Sequence, residues 1–236
     1  MSETEFDRYA EAYGELLAAS LAVTGETPGF FSEYKLRDIA REVAREPCAE
    51  GGVSRPLRVC DFGAGIGGSV PFVHKHLPGA ELTCVDVSGR SLEVAAGRSP
   101  GLATYVRFDG CELPFAAGQF DVTYAACVFH HIAADAHLPL LRELRRTLAP
   151  DGRLFVFEHN PWNPLAVRAV ASCPFDENAV LIPGQEMKRR LKAAGYACVR
   201  LRYRLFFPHA LRFLRPIERL LTWLPLGGQY CAIARK

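Results

Sequence analysis

Glycines and a carboxylate occur together in residues 59–68 of the chain, VCDFGAGIGG. An apolar stretch ends at Asp61, and glycines follow at positions 63, 65, 67 and 68. Glycine tolerates positive φ and lets a ligand approach the backbone closely. The free N–H groups at the start of a following helix favour anionic groups. The pattern therefore predicts a strand, a ligand-binding loop and a helix.

Two ligand classes use such a loop, and Asp61 distinguishes them. Gly63-x-Gly65-x-x-Gly68 fits the dinucleotide fingerprint, whereas Asp61-x-Gly63-x-Gly65-x-Gly67 fits a loop for S-adenosylmethionine. A carboxylate beside the loop repels a pyrophosphate but attracts an ammonium or a sulfonium. We therefore favour S-adenosylmethionine, and an NAD(P)-dependent oxidoreductase remains the alternative. A purely structural loop also remains open.

Two further carboxylates end the next two predicted strands. Asp86 can accept hydrogen bonds from both ribose hydroxyls, because the second strand of such folds ends beside the ribose. It can also cap the helix that follows. Asp109 can accept from the exocyclic amine of adenine.

Histidines follow the fourth and fifth predicted strands, in residues 129–131 (FHH) and 158–160 (EHN). Ligands bind beyond the carboxyl ends of strands in doubly wound sheets, and histidine can take a proton from a hydroxyl or an enol. His130 is the first candidate for a general base, with Glu158 and His159 as orienting groups or alternative bases. His131 is either catalytic or packed under the sheet. Neighbouring pairs do not give tetrahedral spacing, so we expect no metal site.

Alternating short β-branched runs and helical stretches predict an α/β fold, a parallel sheet with helices on both faces. The predicted strands cover residues 57–61, 81–86, 104–108, 120–125, 153–158, 196–203 and 229–234. The predicted helices cover residues 4–23, 31–45, 68–77, 90–97, 136–148 and 184–194. Thr4 and Asp135 are candidate caps for the first helix and for helix 136–148.

The motifs together resemble those of class I S-adenosylmethionine-dependent methyltransferases. They are similar to the small-molecule group that includes the ubiquinone/menaquinone-biosynthesis enzymes. The matching segments are residues 61–67, Asp86, residues 109–115 (D-x-x-x-L-P-F), 120–132 and 141–154. The resemblance implies a Rossmann-like sheet of seven mostly parallel strands, with the last strand antiparallel.

The resemblance also implies the site residues and the reaction. The cofactor would contact Asp61, Gly63, Ala64, Gly65, Gly67, Asp86, Val87, Asp109, Gly110 and Cys127, with Tyr13 and Lys35 from the N-terminal helices. Lys35 would meet the methionine carboxylate. Gly110-Cys111 departs from the small or acidic residues usual there, but its backbone can still contact adenine. We expect in-line methyl transfer to oxygen or carbon of a small acceptor, with a catalytically silent binding module as an alternative.

This resemblance divides the chain into residues 1–50, a helical cover, and residues 51–236, the methyltransferase domain. Within the second part, residues 159–182 and 205–228 are candidate segments that cover the acceptor. Residues 206–216 mix aromatic side chains with arginines. They could bind an apolar acceptor that bears an acidic group, contact an anionic membrane surface as a peripheral helix, or simply pack on the sheet.

Charge is divided unevenly along the chain. The formal net charge is +2, but residues 1–150 carry 14 basic and 20 acidic side chains, and residues 151–236 carry 14 and 6. Near-neutrality argues against a nucleic-acid partner, and the acidic half with the cofactor motifs argues against RNA methylation.

Cysteine usage and the apolar runs indicate the compartment. The eight cysteines contain no CxxC pair, which favours buried thiols in a reducing compartment. The polar N-terminal residues are unlike a signal peptide, and no apolar run is long enough to span a membrane. We expect a cytoplasmic protein, either a monomer or a homodimer.

Overall fold

The computed structural model describes residue 7 and residues 12–45 and 55–236. The predicted cap Thr4, and most of the predicted start of the first helix, lie outside these residues.

The described residues form one seven-stranded sheet in the order β3-β2-β1-β4-β5-β7-β6. The strands are β1 Arg58–Phe62, β2 Glu81–Asp86, β3 Thr104–Arg107, β4 Phe120–Ala126, β5 Leu148–His159, β6 Ala197–Arg204 and β7 Gln229–Arg235. Strands β1 to β5 run parallel, and β7 is antiparallel to both β5 and β6. The predicted Rossmann-like sheet with an antiparallel last strand is confirmed.

Helices lie on both faces of the sheet. They are α1 Tyr13–Leu21, α2 Pro28–Arg45, α3 Val70–His76, α4 Gly89–Arg98, α5 His137–Thr147, α6 Pro164–Ala171, α7 Gly184–Ala193 and α8 Glu218–Leu221. Short 3₁₀ turns cover Phe129–His131, Pro174–Asp176 and His209–Ile217. The prediction that Asp135 caps α5 is wrong: the capping position is Ala136, which makes no side-chain cap.

The core has two layers, one on each side of the sheet. Alternate side chains of a strand point to opposite faces, so Cys60 and Phe62 pack toward α5 and α7, whereas Val59 packs toward α2 and α3. Helix α2 buries Tyr34, Leu36 and Ile39 in this second layer. The helix is therefore anchored in the core. It holds Lys35, which lies between Tyr34 and Leu36 in the sequence, at the edge of the sheet.

One edge of the sheet gathers the candidate residues. The loop after β1, Asp86 at the end of β2, Cys127 after β4 and His159 at the end of β5 all lie at the carboxyl ends of parallel strands. Gln229 joins them because β7 runs in the opposite direction and begins at this edge. Among residues 12–45 and 55–236, no helix combines the length and the apolar character that a membrane crossing requires.

Candidate active site

Two glycines of the loop have different roles: one allows close packing, and the other faces the space for a ligand. Gly63 and Gly65 have φ of +74° and +52°. A Cβ on Gly63 would lie 2.5 Å from a methyl of Val128, whereas a Cβ on Gly65 would meet nothing within 4 Å. Gly63 thus lets the loop pack against the residue after β4. Gly65 leaves open space in front of the backbone, as a bound ligand needs.

Asp86 ties the loop to the second strand. Its carboxylate accepts the Gly65 N–H at 2.8 Å and the Ser88 N–H at 2.9 Å. Burial raises the pKa of Asp86, although these N–H groups oppose the shift. The cap of α4 is Ser88, whose hydroxyl accepts the Ser91 N–H at 3.0 Å. Asp86 still has lone pairs for a ribose diol, so that role stays a prediction.

Asp61 is a buried carboxylate, 2% exposed, beside the loop. The Ser69 hydroxyl donates to it, and the Tyr124 hydroxyl donates to Ser69 Oγ at 3.0 Å. Burial raises the pKa of Asp61 to about 6, against the lowering effect of these hydroxyls. A cationic ligand group near Asp61 would compensate the buried negative charge.

Lys35 supplies a buried cation in the same place. It is 7% exposed, and its Nζ lies 3.7 Å from Cys127 Sγ. Burial raises the pKa of Cys127, but His159 and Lys35 outweigh that effect and lower it to about 7. The structure therefore places Lys35 where a ligand carboxylate can reach it.

Two adjoining cavities extend from the loop. The polar cavity has a volume of about 340 Å³ and is lined by Lys35, Asp61, Ala64, the histidines at 130, 131 and 159, and Asp176. The apolar cavity has a volume of about 180 Å³ and is lined by Phe62, Val87, Phe108 and Ile132, with Asp86 at its wall. Tyr13, Gly63, Gly65, Cys127 and His131 line both cavities, so the two adjoin.

Asp109 and Gly110 do not line either cavity. Asp109 is exposed, and its Oδ1 accepts the N–H groups of Cys111 and Glu112 at 2.8 and 2.9 Å, which lowers its pKa. The apolar cavity is lined instead by Phe108, which the sequence analysis did not single out. The signal that could have identified Phe108 is its place directly before Asp109, the acidic residue that ends the predicted third strand.

His130 is held between two carboxylates. Its Nδ1 donates to Glu158 Oε2 at 2.5 Å, and its Nε2 lies 3.6 Å from Asp176 Oδ1. Burial alone would lower the pKa of His130, but the Glu158 and Asp176 carboxylates together raise it to about 10. A histidine that is already protonated at neutral pH cannot accept a proton. The geometry therefore argues against His130 as the general base.

Glu158 orients His130 from a fully buried position. Its Oε1 accepts the N–H groups of Val128 and Phe129 at 3.0 and 2.7 Å, while its Oε2 accepts from His130. Burial would raise the pKa of Glu158, but His130 lowers it. With both oxygens engaged and no exposed surface, Glu158 is placed to orient other groups.

His131 and His159 face the cavity more openly. His131 Nε2 lies 3.2 Å from Asp176 Oδ1, and its side chain is 17% exposed. His159 Nδ1 lies 3.4 Å from Gln229 Nε2. Asp176 was missed by the sequence analysis because it stands in a 3₁₀ turn that belongs to no motif. Tyr13 stacks on the neighbouring Phe175 ring at 4.4 Å and covers this part of the site.

A third, smaller cavity of about 70 Å³ continues from the polar one, with which it shares His159 and Gln229. Its walls are mainly apolar and come from α2, α6 and residues 205–208, so both predicted covering segments reach it. Arg215 also lines it, but this arginine is paired with Glu26 and lies over the Phe30 ring at 4.6 Å. The charge of Arg215 is therefore already compensated.

The donor set of these cavities fits S-adenosylmethionine. Asp61 suits its ammonium and Lys35 its carboxylate, while Asp86 and the apolar cavity suit a ribose diol and a flat purine. A pyrophosphate would meet the buried Asp61 carboxylate at short range, which costs electrostatic free energy.

Comparison with known proteins agrees with this chemistry. A family model described as a methyltransferase domain matches residues 60–156. A demethylmenaquinone methyltransferase of Thermus thermophilus is 35% identical over 109 residues, which are 45% of this chain and 49% of that protein. The enzyme of the same name from Thermotoga maritima is 30% identical over 158 residues, 67% of this chain and 61% of the relative. The matches thus span about half to three-fifths of these relatives.

Solved structures share the fold. A SAM-dependent methyltransferase from Archaeoglobus fulgidus superposes with a TM-score of 0.61 at 16% identity, covering 85% of this chain and 94% of its own. One from Aquifex aeolicus superposes with a TM-score of 0.61 at 15% identity, covering 92% and 97%. At such identities the likeness concerns the fold alone.

Proposed function

The chain belongs to the class I S-adenosylmethionine-dependent methyltransferases, and on this premise we propose that it methylates a small, largely apolar acceptor. One observation carries the proposal: the polar cavity beside the glycine loop, with Asp61 and Lys35 in its wall, continues into the third cavity, which α6 helps to line. The cofactor and an acceptor can therefore meet beside His159, which lines both cavities.

The chain's own residues would hold the cofactor by charge and shape. Asp61 would bind the ammonium, Lys35 the carboxylate and Asp86 the ribose hydroxyls, while Val87 and Phe108 would flank the purine. Bound S-adenosylmethionine supplies a methyl carbon that its sulfonium makes electrophilic. Most of the remaining rate enhancement then comes from positioning the acceptor and excluding water.

Proton removal is assigned to the more open histidines. His131 and His159 both line the polar cavity, and His159 also lines the cavity proposed for the acceptor. We propose His159 as the group that receives a proton from an acceptor hydroxyl or enol. Glu158 and the charged His130 orient this end of the site. An acceptor that is already anionic would need no base.

The acceptor is proposed to be quinone-like. Two relatives are named demethylmenaquinone methyltransferases, and the third cavity is lined by Phe30, Phe31, Phe206 and Phe207. Transfer to oxygen or to carbon fits this environment equally. The hypothesis of an acidic group on the acceptor loses its main support, because Glu26 already neutralises Arg215.

We also propose that the protein meets an apolar acceptor at an anionic membrane surface. Of the eleven exposed large apolar side chains among the described residues, nine lie in residues 162–167 and 211–226, around the acceptor cavity. The two segments touch, since Asn163 Nδ2 donates to the Leu226 carbonyl at 2.8 Å. A groove of about 520 Å³ adjoins them. Arg45 and Arg219 line it, together with three arginines, Arg41, Arg202 and Arg204, that are paired with Asp38 or Glu42. Apolar side chains beside arginines suit anionic headgroups.

We also propose that the protein works in the cytoplasm as a monomer. The seven cysteines that the structure describes are free, which supports the reducing cytoplasm as the compartment. A homodimer would cover the same apolar face, so light scattering with and without anionic vesicles distinguishes the two. A monomer that sediments with vesicles supports the membrane contact, and a stable dimer that ignores them contradicts it.

The function is tested with the full chain, radiolabelled S-adenosylmethionine and a short-chain naphthoquinol. The proposal expects label in the organic product, and expects S-adenosylhomocysteine to raise the melting temperature. Stabilisation by NAD(P) alone would point to the oxidoreductase alternative. Binding of S-adenosylhomocysteine, with no transfer to quinols, phenols or enols and with no effect of His159→Ala on a measured rate, would point to a silent binding module.

A further inference from the structure

Three side chains from two separate elements converge in the wall of the polar cavity. His130 and His131 lie in the 3₁₀ turn after β4, and Asp176 lies in the 3₁₀ turn Pro174–Asp176 after α6. One ligand atom from each, a ring nitrogen of each histidine and a carboxylate oxygen of Asp176, lies within 4.8 Å of the other two. All three residues line the same cavity.

The spacing of these atoms also fits a metal ion. Asp176 Oδ1 lies 3.2 Å from His131 Nε2 and 3.6 Å from His130 Nε2. Ligand atoms at about 2.0–2.1 Å from a tetrahedral ion are separated by about 3.3–3.4 Å. The two observed distances bracket that value, so a single ion can bind all three atoms after small side-chain movements.

The environment of His130 supplies a second, independent observation. Its Nε2 is buried, lies just beyond hydrogen-bond distance of Asp176 Oδ1 at 3.6 Å, and has no hydrogen-bond partner among the described residues. Its Nδ1 donates to Glu158, and Glu158 is in turn held by two backbone N–H groups. A carboxylate that orients a histidine through the opposite ring nitrogen is the usual outer support of metal-ligating histidines.

We propose that His130, His131 and Asp176 bind one divalent transition-metal ion in the active-site cavity. Binding of the ion displaces the proton that His130 Nε2 carries in the metal-free protein, so the ring is neutral in the complex. Two imidazoles and one carboxylate suit Zn²⁺, Mn²⁺, Fe²⁺ or Co²⁺ and are poorly suited to Mg²⁺, which prefers oxygen ligands. Three protein ligands leave at least one position open toward the cavity. A metal-bound acceptor hydroxyl or enol would have a lower pKa and would transfer its proton to His159, which lines the same cavity.

This site was not expected from the sequence. Neighbours in the chain, His130 with His131 or Glu158 with His159, do not give tetrahedral spacing, and only the fold adds Asp176 as the third ligand. The inference depends on this geometry and not on the proposed methyl transfer, so metal binding and activity can succeed or fail separately.

The test measures metal binding to the full chain after chelator treatment. Co²⁺ is the probe, followed by calorimetry and visible absorption, and Mn²⁺ is titrated for comparison. We expect one equivalent of Co²⁺ with visible d–d absorption. The intense near-ultraviolet charge-transfer band of thiolate ligation should be absent, which separates this site from the exposed Cys111 and Cys198.

Variants identify the ligands. His131→Ala and Asp176→Asn should each lose about 100-fold or more in Co²⁺ affinity, and Glu158→Gln about 10- to 100-fold through the orientation of His130. His74→Ala is the matched control: the Nε2 of this histidine lies 2.6 Å from the Leu102 carbonyl oxygen, and the variant should bind Co²⁺ as the parent protein does.

Folding is checked separately, by the far-ultraviolet circular dichroism and the melting temperature of each metal-free variant. Asp176→Asn keeps the size of the side chain, so loss of Co²⁺ binding with a cooperative thermal transition retained supports the site. Absence of stoichiometric binding to the parent protein would overturn the inference. So would binding that survives both His131→Ala and Asp176→Asn, or binding that shows thiolate charge transfer.

Discussion

The two halves of the candidate active site hold their charged groups in different ways. In the cofactor half, Asp86 is held by the backbone of Gly65 and Ser88, and Asp61 by the hydroxyl of Ser69, all close to the glycine loop or to their own strand. In the acceptor half, His130 depends on Glu158 and Asp176, which come from other elements of the fold. A local motif can specify the first arrangement, whereas the second exists only once β4, β5 and the segment after α6 have assembled.

The largest effect is expected from breaking the acceptor half. Glu158→Ala leaves the His130 charge without its buried partner and two backbone N–H groups without an acceptor. Removing one member of a buried ion pair costs about 3–5 kcal/mol of unfolding free energy. Urea unfolding followed by circular dichroism measures the loss. Exposed Glu112→Ala is the control; an equal loss in both variants would contradict the account.

The cofactor half is expected to respond to pH through Asp61. Its pKa is raised from the ordinary carboxyl value to about 6 in the folded chain, so the folded state binds a proton more tightly than the unfolded state between about pH 4 and 6. Stability contributed by the protonated form is present below about pH 4 and is lost as the pH rises to about 6. At neutral pH the ionised Asp61 then lowers stability by up to about 3 kcal/mol.

Asp61→Asn removes this titration and keeps an oxygen that can accept from Ser69. Without ligand, the variant should be more stable than the parent protein at pH 7, and this advantage should vanish near pH 4. Thermal unfolding across this pH range checks the prediction. A variant that is less stable than its parent at pH 7 would show that Asp61 does not carry an uncompensated charge.

A smaller effect is expected from alanine substitutions at two glycines of the loop, which form a matched pair of variants. Gly63→Ala should cost about 2 kcal/mol, because positive φ adds roughly 1 kcal/mol and the new Cβ would meet Val128. Gly65→Ala incurs only the φ cost, but its methyl group enters the ligand space. Calorimetry should therefore find a larger loss of S-adenosylhomocysteine affinity for Gly65→Ala and a larger loss of stability for Gly63→Ala. The reverse order of the two losses would contradict the packing role of Gly63 and the ligand-facing role of Gly65.

The smallest effect is expected at the arginine groove beside the acceptor half. Arg219→Gln should weaken binding to vesicles with anionic lipid by about fivefold, since one basic residue near such a surface contributes about 1 kcal/mol. The KM for a water-soluble acceptor should not change. Sedimentation with neutral vesicles is the control, and equal binding of parent and variant to anionic vesicles would argue against the groove as a lipid contact.

The same division between the halves explains what the sequence could predict. Asp61 and Asp86 line the cavities because each ends a strand whose apolar pattern is unambiguous, and their contacts with a cofactor stay predictions. Helix α2 brings Lys35 to the polar cavity because Tyr34, Leu36 and Ile39 anchor the helix in the core. Asp176 could not be predicted, since nothing in its neighbourhood in the chain shows that residues 174–176 fold back onto the turn after β4.

The structure argues against His130 as a base for a related reason. Its position after β4 suggested a base, but its protonation depends on Glu158 and Asp176, whose distances from it only the fold determines. Asp135 was proposed as a cap from its place before an apolar stripe. Helix α5 instead begins from a preceding turn at Ala136 without any side-chain cap.

The central claim is that the cofactor half binds S-adenosylmethionine through the charge of Asp61. Calorimetric titration of the full chain with S-adenosylhomocysteine, beside the same titration of Asp61→Asn, tests it most directly. We predict one site in the parent protein and an affinity at least about tenfold lower in the variant, which corresponds to about 1.4 kcal/mol for a lost charge pair. Equal affinities in the two proteins, or binding of NAD⁺ in place of S-adenosylhomocysteine, would contradict the claim.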